Sequence, residues 1–209
     1  MTRINRWGAA ALLFAGVMFL LYPAVRPWND ETTQAGAHAS MASVAWVAAH
    51  FFAMLGFIAV ALAMLALRAM IPSRPATAAL ITTWVGAGLT LPYYGAEDFG
   101  LHGAARSDVT DLVALSDAVR YTPLALTTFG LGLVALGVGA VLAATAVWRS
   151  EVVARPAAIL YAVGFALFLP QFFVPAPARI AHGVLLAAGC LWFAAAMWQA
   201  REREHVLVG

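Results

Sequence analysis

The chain has no lysine; all 12 of its basic residues are arginine. Retinal-type photochemistry needs a lysine amine for its Schiff base, so that class is excluded. Cysteine is nearly absent too, with Cys190 alone inside an apolar run. One thiol excludes an internal disulfide and a CxxC redox pair, and Cys190 reads as a small packed residue. Charged residues make up only 11% of the chain, against about 25% in an ordinary soluble domain. No HExxH, GxSxG or phosphate-binding glycine loop occurs, which leaves zinc-protease, hydrolase and P-loop chemistry without a motif.

What is abundant is apolar. Of 209 residues, 63% are hydrophobic, where soluble domains hold roughly 45–50%. A chain this short still exposes much of its surface, so lipid has to solvate the excess. The sequence predicts an all-α, polytopic integral membrane protein, a single transmembrane domain over 1–209. A spanning helix takes about 20 mostly apolar residues. Six runs qualify, at 7–25, 44–70, 76–95, 123–148, 157–174 and 178–199, giving a six-helix bundle. The first run follows Arg3 and Arg6 as a secretory signal would, but its length reads as a span.

Arginine sets the expected orientation. With the N-terminus inside, Arg3, Arg6, Arg68, Arg74, Arg149, Arg155, Arg201 and Arg203 are cytoplasmic, while Arg26, Arg106, Arg120 and Arg179 are outside. Both termini are then cytoplasmic. Seven of the ten acids fall outside, and Glu151, Glu202 and Glu204 fall inside. The expected location is a bacterial inner or plasma membrane, in multi-pass form, with the lipid bilayer as partner. The arginines are spread among loops, so the pI near 9.0 carries no implication of nucleic acid binding. Oligomeric state is left open.

The third and fifth runs resemble each other. One reads VGAGLTLP over 85–92 and the other VGFALFLP over 163–170, each preceded by Arg-Pro-Ala. Each rises to a proline near the outer boundary, which favours a helix end. Three outward-opening hairpins follow from this reading. The outer connections, 26–43 and 96–122, are long, as functional loops often are. Within 107–120, Val109, Leu112, Val113 and Val119 recur at near-helical spacing, predicting a short amphipathic helix on the outer surface.

Histidines collect on that side as well. His38, His50, His102 and His182 are outside; His205 lies in the opposite tail and is expected to be solvated. Ionisable groups at a membrane edge are functional candidates by default. His50, His102 and His182 are candidate metal ligands, with Glu97 and Asp98 as catalytic acid or base. Imidazole with carboxylate suits a transition metal, and a haem is a further candidate cofactor. If the third helix continues past Gly95, then Tyr94, Asp98 and His102 share a face. Tyr94, Gln171 and Arg179 are substrate-binding candidates, Arg179 as an anion anchor for a small or lipophilic substrate. A di-haem cytochrome would need haem histidines on both faces, and here the helix-linked histidines are expected on one face only, which counts against two haems. Trp7, Trp28, Trp46, Trp148, Trp192 and Trp198 read as an interfacial belt.

Three functions fit these residues. One is a membrane-embedded metal- or haem-dependent enzyme or redox protein with its site near the extracytoplasmic face. The second is a small transporter or resistance permease, motivated by the repeat. The third is a non-catalytic membrane subunit, motivated by Gly130, Gly132, Gly137 and Gly139 in the fourth run.

Overall fold

The computed structural model describes residues 2–150 and 152–208, with side chains described for 6–150 and 152–200. The roles read above for Arg3, Glu151, Arg201, Glu202, Arg203, Glu204 and His205 lie outside those side chains. All regular structure among the described residues is helical. In chain order it comprises α1 (Thr2–Val25), α2 (Gln34–Met41), α3 (Val44–Met70) and α4 (Arg74–Gly95). A π-helical segment, Ala96–Leu101, continues α4 into α5 (His102–Ala105). Then come α6 (Leu112–Arg120), α7 (Pro123–Ser150), α8 (Arg155–Ala166), a 3₁₀ turn at Pro170–Phe173, and α9 (Ala176–Val208).

Local chemistry sets the helix starts. Thr33, Ser43, Ser73 and Asp111 each cap a helix by accepting from a backbone amide with the side chain, which satisfies an orphan donor of the first turn. Prolines sit in the first turn of α4 and α8, where a missing N–H is harmless.

Four stretches are long and apolar enough to cross a membrane: Arg6–Val25, Val44–Met70, Pro123–Ser150 and Ala176–Ala200. With α4 and α8 they pack as a closed ring in the order α1, α3, α4, α7, α8, α9 and back to α1. Neighbours run antiparallel. Gly8 meets Ala66 while Gly56 meets Phe19, and Gly86 meets Leu136 while Gly139 meets Thr83. Glycine is required where a neighbouring backbone comes this close, as at Gly189 and Gly86. A Cβ on Gly189 would lie 2.8 Å from the Tyr161 amide nitrogen, and one on Gly86 would lie 2.8 Å from the Leu136 nitrogen. The ring's interior holds an edge-to-face aromatic cluster, with Phe19 centred 5.2 Å from Phe57, 5.7 Å from Phe165 and 5.8 Å from Phe168.

The two repeat-like helices diverge at their prolines. Pro92 stays inside α4. The fifth run, expected as one helix over 157–174, leaves the α-helix at Ala166, because Pro170 has no N–H to donate to the Ala166 carbonyl. The last turn tightens, with Phe168 N donating to Phe165 O at 3.1 Å. That frees the Gly164 carbonyl, which faces His182 Nε2 at 2.8 Å.

The end where α1, α4 and α8 finish is capped. Helices α2 and α6 pack there over the π-helical segment, burying Ala37, Met41, Trp46, Leu101, Ala105 and Leu112 together. Helix α2 was not foreseen. Helix α6 is shorter than expected, and its buried stripe is Leu112, Ser116 and Arg120. It packs over the bundle end, and a Gln34–Asp111 side-chain bond of 2.5 Å ties it to α2.

Candidate functional site: a capped, arginine-lined cavity

The glycines at 95, 100 and 103 do not break the chain away from α4. They sit on its open side, where an added Cβ would meet nothing within 4 Å. The helix continues through the π-helical turn, a form often found at functional sites. Its inward face carries Tyr94, Glu97, Asp98 and Leu101, all buried. His102, expected on the same face, is half-buried, and its Nδ1 lies 2.7 Å from Met41 O, joining this segment to α2.

Glu97 is the hub. Its Oε1 accepts from Arg120 Nε at 2.5 Å, its Oε2 lies 3.1 Å from His50 Nε2, and its carbonyl accepts from Trp46 Nε1 at 3.1 Å. His50 Nδ1 lies 2.8 Å from Trp46 O. Both ring nitrogens of His50 therefore face oxygen atoms, Trp46 O and Glu97 Oε2. The charges continue outward. Arg120 Nη2 lies 2.9 Å from Glu31 Oε2, an ion pair whose angle falls outside hydrogen-bond geometry, and Arg26 Nη2 donates to Glu31 Oε1 at 2.7 Å. The sequence thus alternates Arg26, Glu31, Arg120, Glu97, His50.

Burial alone would raise the Glu97 carboxyl, but Arg120, His50 and Arg26 together outweigh it and hold the group down at about 2. Burial would lower Arg120, but Glu97 and Glu31 hold its guanidinium above the ordinary arginine range. Asp98 differs. It is fully buried, and neither carboxylate oxygen has a hydrogen-bond partner. Burial pushes it up to about 6, with His50 and His102 opposing in part and Glu97 adding to the rise.

Beside this network is a cavity of about 580 Å³. Charged residues in its wall are Arg26, Glu31, Glu97, Arg120 and Arg179. Aromatic residues in the wall include Tyr22, Trp28, Tyr93, Tyr121, Phe129, Phe172 and Phe173. Tyr93 stacks on Phe129 with ring centres 4.1 Å apart. Trp28 is positioned by donating from Nε1 to Pro23 O at 3.0 Å. Its ring takes both Arg26, at 4.6 Å, and Arg179, at 4.9 Å.

Of the residues proposed from sequence as metal ligands, catalytic groups or substrate contacts, Glu97 and Arg179 line this cavity and the rest do not. Tyr94 is buried beneath it, between Tyr22, His50, Phe57 and Phe129. Gln171 is buried in the 3₁₀ turn. The three histidines make three separate contacts: His50 with Glu97, His102 with Met41 O and His182 with Gly164 O. Among the described residues, no three or more of His, Cys, Asp or Glu are arranged to hold a metal ion. The donor set does not fit the metal centre expected from sequence. Trp28 and Trp46 leave the interfacial belt, since Trp46 is fully buried and Trp28 lines the cavity; Trp7, Trp148, Trp192 and Trp198 are exposed. Sequence reasoning missed Arg26, Glu31 and Arg120. Their signal was present, because a salt-bridged arginine on the acid-rich side runs against the charge bias that sets topology.

The chain matches no family model, no curated protein and no solved structure.

Proposed function

We propose that this chain is a multi-pass cell-membrane protein whose cavity opens to the outer face and binds a small amphiphilic molecule. In this reading six helices cross the membrane as three hairpins, with both termini cytoplasmic. The observation that carries it is the cavity itself, where polar groups converge on an otherwise aromatic wall, the usual composition of a small-molecule site.

Binding is favoured over acid–base catalysis by the electrostatics. Proton transfer works best when the group titrates near the working pH. Glu97, held at about 2, is better suited to orient a ligand than to exchange a proton with it. Asp98 titrates in a useful range but lies outside the cavity wall. A metal- or haem-dependent reaction finds no gathered ligand set among the described residues.

Cysteine accessibility tests the reading. Gly130 lines the cavity, and an added Cβ there would meet nothing within 4 Å. The native Cys190 is buried and supplies no background. A Gly130→Cys chain should react with a membrane-impermeant thiol reagent added outside intact cells. Reaction only after the cells are permeabilised would overturn the outward-opening cavity.

A further inference from the structure

We infer that the ligand of this cavity carries an oxyanion head, carboxylate or phosphate, on an apolar body, and that Arg179 receives the head. This rests on the binding reading above and specifies its substrate class.

The charges in the wall do not balance. Arg26, Glu31, Arg120 and Glu97 satisfy one another in sequence. Arg179 is left over. It makes no ion pair or side-chain hydrogen bond among the described residues, and its Nε is buried without an acceptor. Its guanidinium packs against the rings of Trp28, at 4.9 Å, and Phe172, at 4.8 Å. Those contacts hold the group in place and contribute attraction, yet they accept none of its N–H bonds. Arg179 is part-buried, and a donor such as its Nε that is closed off from water without an acceptor carries a desolvation cost. An incoming oxyanion removes that cost by accepting two parallel bonds from the planar edge, a geometry suited to arginine and not to lysine. Arg26 adds one further buried N–H without a hydrogen-bond partner, at Nε, whereas Arg120 Nη2 is taken up by its ion pair with Glu31. The remaining wall is apolar or aromatic, with Phe129, Leu169 and Phe173, which suits a hydrocarbon or aromatic body.

The test uses the full chain in phosphatidylcholine nanodiscs, titrated calorimetrically with decanoate, decyl phosphate and uncharged decanol. The two anions should bind at least tenfold more tightly than decanol. Arg179→Gln should remove that preference, Arg179→Lys should recover only part of it, and Gly130→Trp, which fills the cavity, should abolish binding of all three. Adding phosphatidylglycerol to the nanodisc separates two sources of the head group. Competition with decanoate identifies a lipid head group, and no competition identifies a free amphiphilic acid; either result supports an oxyanion site. Equal binding of decanol and decanoate, or an unchanged preference in Arg179→Gln, would overturn the oxyanion assignment while leaving the cavity as the site. Undiminished binding in Gly130→Trp would instead overturn the cavity reading itself.

Discussion

Glu97 Oε2 lies 3.1 Å from His50 Nε2, joining the π-helical segment after α4 to the opening turns of α3. With Arg120 on its other oxygen, this carboxylate ties three elements together at the capped end. Removing one partner of a buried ionic network leaves the others uncompensated, at a cost of about 3–5 kcal/mol. Glu97→Gln should therefore melt well below the wild type at neutral pH. The pH dependence has a definite sign. A carboxyl held down at about 2 contributes stability that is present above its unfolded value of 4.5 and is lost as pH falls through about 2. The gap in melting temperature between wild type and Glu97→Gln should thus close across that window. A gap that stays constant to pH 2 would show that Glu97 is not ionised in the folded chain.

Asp98, next in sequence, should behave in the opposite way. Its value is raised from 3.8 to about 6, so the folded chain holds that proton more tightly than the unfolded one. Its contribution is most favourable below about 3.8 and declines as pH rises through about 6, by about 3 kcal/mol in all. Asp98→Asn keeps the shape and removes the charge. It should raise thermal stability at pH 7.5 and leave it little changed at pH 4. Destabilisation at both values would mean that a carboxylate partner holds Asp98 in its charged form.

How much of this was legible in the sequence follows from which interactions are local. The long apolar helices follow from run length, since lipid leaves few alternatives to a helix. Both ends of α3, Ser43 as cap and Met70 as last residue, are readable from neighbouring residues. The clustering of histidines at one end was also legible, because antiparallel helices alternate direction. Their contacts were not. Whether His182 meets a metal or a carbonyl depends on Gly164 O being released by a tightened turn in another helix. Glu97 was singled out, but its partner Arg120 lies 23 residues away on a separate helix, and no periodicity links the two. One wall of the cavity comes from the segment before α2, with Arg26, Trp28 and Glu31, and from the end of α6, with Arg120. The cap that holds α6 includes α2, eight residues of mixed polarity with little pattern to detect.

Ring closure depends on glycine where backbones touch. Gly189→Val should destabilise by about 1–3 kcal/mol, the usual range for overpacking, because its Cβ would meet the α8 backbone at Leu160 and Tyr161. Gly88→Ala is the matched control. It lies on the exposed side of α4 with nothing within 4 Å of an added Cβ, so it should be neutral or gain up to about 1 kcal/mol from helix propensity. Thermal melts of the two variants in one detergent would decide. A similar loss in both would show that position within the ring does not matter.

The cavity also alters the topological argument. From sequence the cytoplasmic side carries eight arginines and the outer side four, a modest bias. Three of those four, Arg26, Arg120 and Arg179, line the cavity, and the first two are paired to Glu31 and Glu97. An arginine neutralised inside a folded site is not a free loop charge of the kind that holds a segment in the cytoplasm. Setting the two paired arginines aside leaves Arg106 and Arg179 on the outer side, so the bias becomes eight against two. The prediction is a clear-cut orientation, which single cysteines can read over the silent background of buried Cys190. Ser107→Cys, in the exposed turn after α5, should be labelled by impermeant reagent in intact cells. Val152→Cys, in the exposed turn before α8, should be labelled only after permeabilisation. The reverse pattern would invert the molecule and turn the cavity toward the cytoplasm. Labelling of both in intact cells would contradict an odd number of crossings between positions 107 and 152, and with it the membrane-spanning role of α7.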